Sequence, residues 1–208
     1  MPKDLIVLTA DKNTEYGIRG LLSRPASFGV RSIQLDIFVH PHHDPGCARE
    51  AQDFLRPFLQ HYEHALVMFD RVGSGREMLS AEELSAEVRG RITASGWGDR
   101  AEVIVLDPEI EVWVFPTSGQ VERCLEWPAG SPKLRRWLET RGQWQRNHSK
   151  PSNPKEAFEL ALRELKKARS SAIYRRLGEH VSPRGCTDPA FLKFSSVIAK
   201  WFPAEDDE

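Results

Sequence analysis

The stretch that decides the fold is Ala65-Leu66-Val67-Met68-Phe69-Asp70-Arg71-Val72-Gly73-Ser74-Gly75. Its apolar first half is typical of a buried strand, which runs directly into a carboxylate and a glycine-rich turn. Ligands of open α/β sheets bind just beyond the carboxyl ends of the strands, so Asp70 occupies a position suited to binding Mg²⁺ or a ribose. The alternative is that Asp70 only shapes the turn.

Three further apolar, β-branched runs accompany this strand, at Leu5–Thr9, Ile33–Val39 and Val103–Leu106. Segments with helical spacing separate the runs, at residues 14–22, 47–62 and 80–93, and Ser80 with Glu83 forms a capping-box pattern. This alternation predicts an α/β fold with a mostly parallel sheet flanked by helices. After the fourth strand, we expect Asp107 to cap a helix that has Pro108 at its first position.

The rest of the chain is predicted to be helical, at residues 134–140, 154–168, 172–179 and 189–201. We therefore divide the 208 residues into an α/β domain (1–125), a basic helical region (126–203) and an acidic tail (204–208) that we expect to be disordered. Residues 133–202 hold 16 Lys and Arg against 6 Asp and Glu, although the whole chain has a net charge of −1. Such a region suits a polyanion, or its basic side chains simply solvate helix faces.

Composition argues against several classes of protein. No stretch approaches the ~20 apolar residues that cross a membrane. The first residues lead at once into a strand, so we expect no secretory signal peptide. The chain has 3 Cys and no CxxC pair, which disfavours a zinc knuckle or a disulfide framework. We expect a cytoplasmic protein with reduced cysteines.

Acidic residues follow several of the predicted strands. Asp11 follows the first strand as Asp70 follows the third, and the two converge if those strands are neighbours. Glu109 and Glu111 follow the fourth strand, although Glu109 also suits the first turn of a helix. Two or three carboxylates at one edge form an oxygen-rich site suited to Mg²⁺ or Mn²⁺.

A histidine-rich loop, His40-Pro41-His42-His43-Asp44, follows the second strand. Three His and one Asp within five residues could bind Zn²⁺ or another transition metal, but neighbouring ligands on one short loop need help from elsewhere in the chain. The alternative is a polar loop in which Asp44 starts the next helix. Gly73-Ser74-Gly75 could cradle a phosphate through backbone N–H groups, although no Walker loop, GxGxxG or GxSxG motif is present.

Five motifs in this order resemble a Toprim-like family of uncharacterised bacterial proteins, many encoded near phage-defence genes. The motifs are Asp11-Lys12-Asn13-Thr14-Glu15, Phe69-Asp70-Arg71-Val72-Gly73, Pro108-Glu109-Ile110-Glu111-Val112-Trp113, Pro154-Lys155-Glu156-Ala157 and Cys186-Thr187-Asp188-Pro189-Ala190-Phe191. The chain also looks like an accessory protein of methylation-associated defence systems. The resemblance implies a Toprim-like (Rossmannoid) sheet.

Toprim domains hold Mg²⁺ with a Glu after the first strand and an Asp-x-Asp after the third. Here Asp11 takes the first position and Asp70 the second, while Val72 replaces the last Asp and cannot bind a cation. This departure argues against a two-metal nuclease and leaves one metal ion held by Asp11, Asp70 and Glu111. Glu111 is preferred over Glu109 by the resemblance.

The leading hypothesis is a component of a bacterial anti-phage defence system that works with other defence proteins. It would be a Mg²⁺-dependent nuclease that acts on nucleic acid, with DNA as the expected substrate. Glu111 would serve as a metal ligand or as general base, and Lys155 as phosphate clamp. Further contacts with nucleic acid are predicted at Lys166, Lys167, Arg169, Arg175 and Arg176. The alternative is a non-catalytic subunit that binds nucleic acid or a partner chain through a degenerate site. A metal-independent nucleotide sensor, based on Gly73–Gly75, is a third possibility.

Overall fold

The centre of the molecule is a four-stranded parallel sheet. The computed structural model describes residues 1–115, 120–181 and 186–204. The strands are β1 (Lys3–Thr9), β2 (Leu35–Val39), β3 (Tyr62–Asp70) and β4 (Ala101–Leu106), in the spatial order β2-β1-β3-β4. The predicted parallel α/β sheet is therefore confirmed, and the Toprim-like assignment stays a prediction.

Helices cover both faces of the sheet, and alternate residues of each strand face opposite sides. Leu66 and Met68 of β3 join one apolar cluster, whereas Val67 and Phe69 join the other. The helices of the described residues are α1 (Lys12–Leu22), α2 (His43–Leu55), α3 (Ala81–Ile92), α4 (Gln120–Leu125), α5 (Leu134–Thr140), α6 (Pro154–Glu164), α7 (Ser171–His180) and α8 (Pro189–Trp201). None of them is both long and apolar enough to span a bilayer.

The C-terminal helices pack on the same face of the sheet as α1, the face to which Leu66 and Met68 point. Phe158, Tyr174 and Phe194 belong to the same apolar cluster as Leu66 and Met68. The division at residue 125 stays a prediction, but the core runs across it. Of the predicted acidic tail, residues 205–208 lie outside the described residues.

Several predicted boundaries are wrong. α2 ends at Leu55 because Pro57 breaks the pattern, and a 3₁₀ turn (Arg56–Phe58) leads into β3 instead of a helix reaching residue 62. Asp107 does not cap a helix at Pro108. Glu109 has an extended backbone (φ −153°, ψ 167°), so a single 3₁₀ turn starts only at Ile110. Asp107 instead forms a salt bridge with Arg71 at 2.9 Å.

Helices α1 and α7 approach so closely that their backbones touch. A Cβ atom on Gly178 would lie 2.5 Å from the carbonyl oxygen of Gly17 and 2.8 Å from the nitrogen of Leu21. Only glycine fits between the two helices at this point. This contact fixes α7, and with it Tyr174, close to the carboxyl edge of the sheet.

Candidate functional site

Two of the predicted ligands follow neighbouring strands. β1 pairs with β3, and Thr9 lies opposite Met68. Asp11, just after β1, and Asp70, the last residue of β3, therefore lie at the same edge of the sheet. The chain changes direction between these strands: β2 lies on one side of β1, and β4 lies beyond β3. Crevices at such a switch point are where open α/β sheets bind ligands.

Asp44, in the first turn of α2, is a third carboxylate at this edge. Its Oδ1 accepts a hydrogen bond from the backbone N–H of Asp70 at 2.8 Å. Asp11 Oδ1 accepts from the N–H of Thr14 at 2.8 Å, and Asp70 Oδ1 accepts from the N–H of Ile110 at 3.1 Å. In each of the three aspartates, one carboxylate oxygen is thus held by the backbone, which orients the side chain.

From the sequence, Asp44 was expected to start a helix or to join the histidines of its loop as a metal ligand, and not to join Asp11 and Asp70. The signal that could have revealed its second role was its place shortly after β2, since every other strand end in the predicted sheet also carried a carboxylate. We call Asp11, Asp44 and Asp70 the aspartate cluster.

The aspartate cluster concentrates negative charge. Burial raises the pKa of Asp70 well above its ordinary value, and the carboxylates of Asp44, Glu111 and Asp11 raise it further. Burial also raises the pKa of Asp44, with a further contribution from Asp11. Within the described residues, no ion pair involves any of the three aspartates. Among the described residues, the cluster therefore has no Lys or Arg partner to offset the repulsion between close carboxylates, and the charge of His43, which lowers the pKa of Asp44, does not outweigh the effect of burial.

The two glutamates that follow β4 do have cationic partners. Lys155 Nζ lies 2.5 Å from Glu109 Oε1, and this carboxylate raises the pKa of Lys155. Arg169 Nη2 lies 2.6 Å from Glu111 Oε1, which also accepts a hydrogen bond from the hydroxyl of Tyr174.

Glu111 is only 1% exposed, and its Oε2 is buried with no hydrogen-bond partner. The predicted clamp Lys155 and the predicted nucleic-acid contact Arg169 are thus engaged with the acidic edge itself. The roles of Glu111 as metal ligand and general base stay predictions. Oε2 is the atom that would take either role, because Oε1 is already bound by Arg169 and Tyr174.

The glycine-rich turn after β3 already holds an anionic group. The backbone N–H groups of Gly73 and Gly75 donate to Glu77 Oε1 at 2.9 Å and 3.1 Å. The backbone of Glu77 itself, together with these two bonds, lowers the pKa of the Glu77 carboxyl. A phosphate bound by this turn would have to displace the Glu77 carboxylate. Val72, at the position that lacks the expected Asp, is exposed.

Most of the basic residues predicted to contact nucleic acid are paired with acids. Lys167 and Arg176 share Glu126, at 2.5 Å and 2.9 Å, and Arg175 pairs with Glu179 at 2.7 Å. Lys166 is exposed at the end of α6. Pairing reduces the charge that these side chains offer to a polyanion.

A more strongly basic surface lies around α5. An open groove of about 520 Å³ beside Trp144 is lined by four basic side chains, and we call it the basic groove. Only one of the four has an ion-pair partner within the described residues: Arg135, 3.1 Å from Glu139. The four residues are Lys133, Arg135, Arg136 and Arg146.

Comparisons with protein-family models, with curated proteins and with solved structures find no match to this chain. The features that bear on function are therefore the aspartate cluster, the paired glutamates beside it and the basic groove.

Proposed function

We propose that the protein binds a divalent cation, Mg²⁺ or Mn²⁺, at the aspartate cluster and acts there on a phosphodiester of nucleic acid. The observation that supports this proposal is the placement of three aspartates at the carboxyl edge of the sheet, where Asp44 Oδ1 holds the N–H of Asp70 and no Lys or Arg pairs with any of the three among the described residues. Burial and neighbouring carboxylates raise the pKa of Asp70 and of Asp44, as expected for acidic groups without such a partner. Carboxylate oxygens are the hard donors that Mg²⁺ and Mn²⁺ prefer. The oxygens of the three aspartates do not all lie within 4.8 Å of one another, so an ion bound here would draw the side chains together. Such an ion supplies charge stabilisation at a phosphoryl oxygen and lowers the pKa of water.

The residues of this chain have separable parts in the proposal. Backbone N–H groups orient the three aspartates, so the Oδ2 atoms are available to a ligand. Glu111 is placed to accept a proton through its unpartnered Oε2, because Arg169 and Tyr174 hold only Oε1. Lys155 lies at the edge of the site, where release from Glu109 would free it to contact a phosphate. A role in anti-phage defence rests on the sequence resemblance alone.

Asparagine variants test the cation site without removing the orienting bonds, because an amide oxygen still accepts a backbone N–H. We expect Asp70→Asn and Asp44→Asn to weaken Mg²⁺ binding in calorimetry by at least tenfold, while Asp99→Asn, at an exposed position, leaves it unchanged. Metal-dependent cleavage of single-stranded, duplex and methylated DNA should be lost in parallel. Full cleavage by Asp70→Ala would remove the aspartate cluster as the catalytic site.

A second candidate function is a non-catalytic subunit that binds nucleic acid. The pairing of Glu109 with Lys155 and of Glu111 with Arg169 favours it, since both cations are then unavailable to a substrate. The basic groove supplies the binding surface in this case. DNA binding that persists in Asp70→Asn, with no cleavage by the wild-type protein at any Mg²⁺ concentration, would support this second function.

A further inference from the structure

A second group of ligands lies at the end of β2, outside the aspartate cluster. His42 Nδ1 is 2.9 Å from Glu50 Oε2, and His40 Nε2 is 4.0 Å from the same oxygen. One ligand atom from each of the three residues lies within 4.8 Å of the other two. Glu50, two turns into α2, supplies the distant partner that the histidine loop lacked in sequence.

The separations suit a single small cation. Bonds of about 2.0 Å from a tetrahedral Zn²⁺ place neighbouring ligand atoms about 3.3 Å apart. The two separations from Glu50, 2.9 Å and 4.0 Å, bracket that value, and the two histidine ligand atoms lie within 4.8 Å of each other, so small side-chain shifts would bring the three atoms around one ion. Two imidazoles and one carboxylate are a donor set preferred by Zn²⁺, Co²⁺ and Ni²⁺ over Mg²⁺.

His40 is held rigidly in place. Its side chain is 3% exposed, and its ring packs beside Phe54 with the ring centroids 5.6 Å apart. Gly46 leaves the space that the ring fills, because a Cβ atom there would lie 2.0 Å from His40 Nδ1. A side chain fixed in this way loses little entropy when it binds a ligand.

The other two polar residues of the loop are directed elsewhere. His43 Nδ1 lies 3.0 Å from the carbonyl oxygen of Ala10, and Asp44 Oδ1 holds the N–H of Asp70. The loop therefore divides between two sites: Asp44 belongs to the aspartate cluster and His43 lies beside Ala10 there, whereas His40 and His42 lie beside Glu50.

We propose that His40, His42 and Glu50 bind a divalent transition-metal ion of the Zn²⁺ class at the exposed end of β2. Three protein ligands leave the fourth position of the ion open to water. This site is separate from the proposed Mg²⁺ site and does not depend on it.

Binding requires a rearrangement of ring protons that can be observed. The N–H of His42 donates to His40 Nδ1 at 3.1 Å, which places the proton of a neutral His40 on Nε2. Coordination through Nε2 moves this proton to Nδ1 and ends the hydrogen bond. The amide signal of His42 should therefore shift when metal is added.

Co²⁺ is the appropriate probe, because its visible absorption reports ligand type and geometry. The full-length protein would be titrated with Co²⁺, monitored by absorption and by calorimetry, and then challenged with Zn²⁺. Two variants remove exposed ligands without creating a cavity: His42→Ala and Glu50→Gln, whose side chains are 66% and 49% exposed. His61→Ala, an exposed histidine at the opposite edge of the sheet, is the matched control.

We expect one Co²⁺ per chain with a tetrahedral spectrum, displaced by Zn²⁺. His42→Ala and Glu50→Gln should weaken binding at least tenfold, since even loss of an outer-shell partner costs about 10- to 100-fold. His61→Ala should bind as the wild type does. Unchanged binding in both ligand variants, or a loss confined to Asp70→Asn, would overturn the proposal and assign the ion to the aspartate cluster.

Discussion

At the scale of single residues, Asp70 should make stability depend on pH. Its pKa in the folded protein lies well above the ordinary value, so the native state holds a proton that the unfolded chain releases. The stability contribution is complete below the unfolded pKa of about 3.8 and is lost as pH rises through the folded pKa. Each unit of pKa difference corresponds to about 1.4 kcal/mol.

We therefore expect Asp70→Asn to raise the midpoint of thermal unfolding at pH 7, in the presence of EDTA, by at least about 3 °C. The gain should become small at pH 3.5, below the unfolded pKa, where Asp70 is mostly protonated in both states. Asp99→Asn should show no such dependence, because Asp99 is exposed. An equal gain at both pH values would mean that charge at Asp70 is not its cause.

Glu111 and Glu109 allow a paired comparison. Glu111 is 1% exposed and accepts from Arg169 and Tyr174, whereas the ion pair of Glu109 with Lys155 has side chains that are 15% and 38% exposed. Glu111→Gln should lower the free energy of unfolding by about 1.5–3 kcal/mol, the range for hydrogen bonds to charged groups. Glu109→Gln should cost less than about 1 kcal/mol. Urea unfolding measures both, and a gain from Glu111→Gln would group Glu111 with the unpaired aspartates.

At the scale of secondary-structure elements, the contact between α1 and α7 should tolerate no added methyl group. The Cβ of Gly178→Ala would lie 2.5 Å from the carbonyl oxygen of Gly17, so the helices must separate. Overpacking of this kind typically costs about 1–3 kcal/mol. The displacement also moves Tyr174 away from Glu111, so a weaker response to Glu111→Gln in the same background is expected.

Gly90→Ala is the control for this substitution. Gly90 lies in α3, and nothing stands within 4 Å of a Cβ atom built on it. Alanine there should stabilise the helix by up to about 1 kcal/mol, the difference in helix propensity. Equal effects of the two substitutions in urea unfolding would show that α1 and α7 do not meet as described.

The elements also show where prediction from sequence succeeds. Runs such as Leu5–Thr9 were recognised as strands because burial on both faces leaves a local apolar pattern. The predicted capping box of Ser80 and Glu83 is confirmed, and it too is a local signal, because its two bonds join residues only three positions apart. Helix ends next to Pro57 and Pro108 were misplaced, because a proline permits more than one local continuation.

The site was harder to predict because its bonds connect distant parts of the chain. Glu111 and Arg169 are 58 positions apart, and Asp44 and Asp70 are 26 apart. No local pattern reports such pairs. The sequence therefore indicates which carboxylates follow the strands. It does not indicate which of these carboxylates pair with a Lys or Arg side chain.

At the scale of the whole molecule, uneven charge should direct any polyanion to the basic groove. Arg136 and Arg146 line the groove without an ion-pair partner among the described residues, whereas Lys167 and Arg176 share Glu126. Arg136→Glu with Arg146→Glu should weaken DNA binding strongly. The same reversal at Lys167 and Arg176 should weaken it less, because those two charges are already partly neutralised.

The dependence on salt distinguishes phosphate contacts from general attraction. Each lost contact lowers the slope of log K against log salt concentration by about 1, so the groove variant should lose about 2. Fluorescence anisotropy with a labelled duplex measures both affinity and slope. A larger change in slope for the variant of Lys167 and Arg176 would rule out the basic groove as the binding surface. That result would mean that phosphates contact Lys167 and Arg176 in spite of their ion pairs with Glu126.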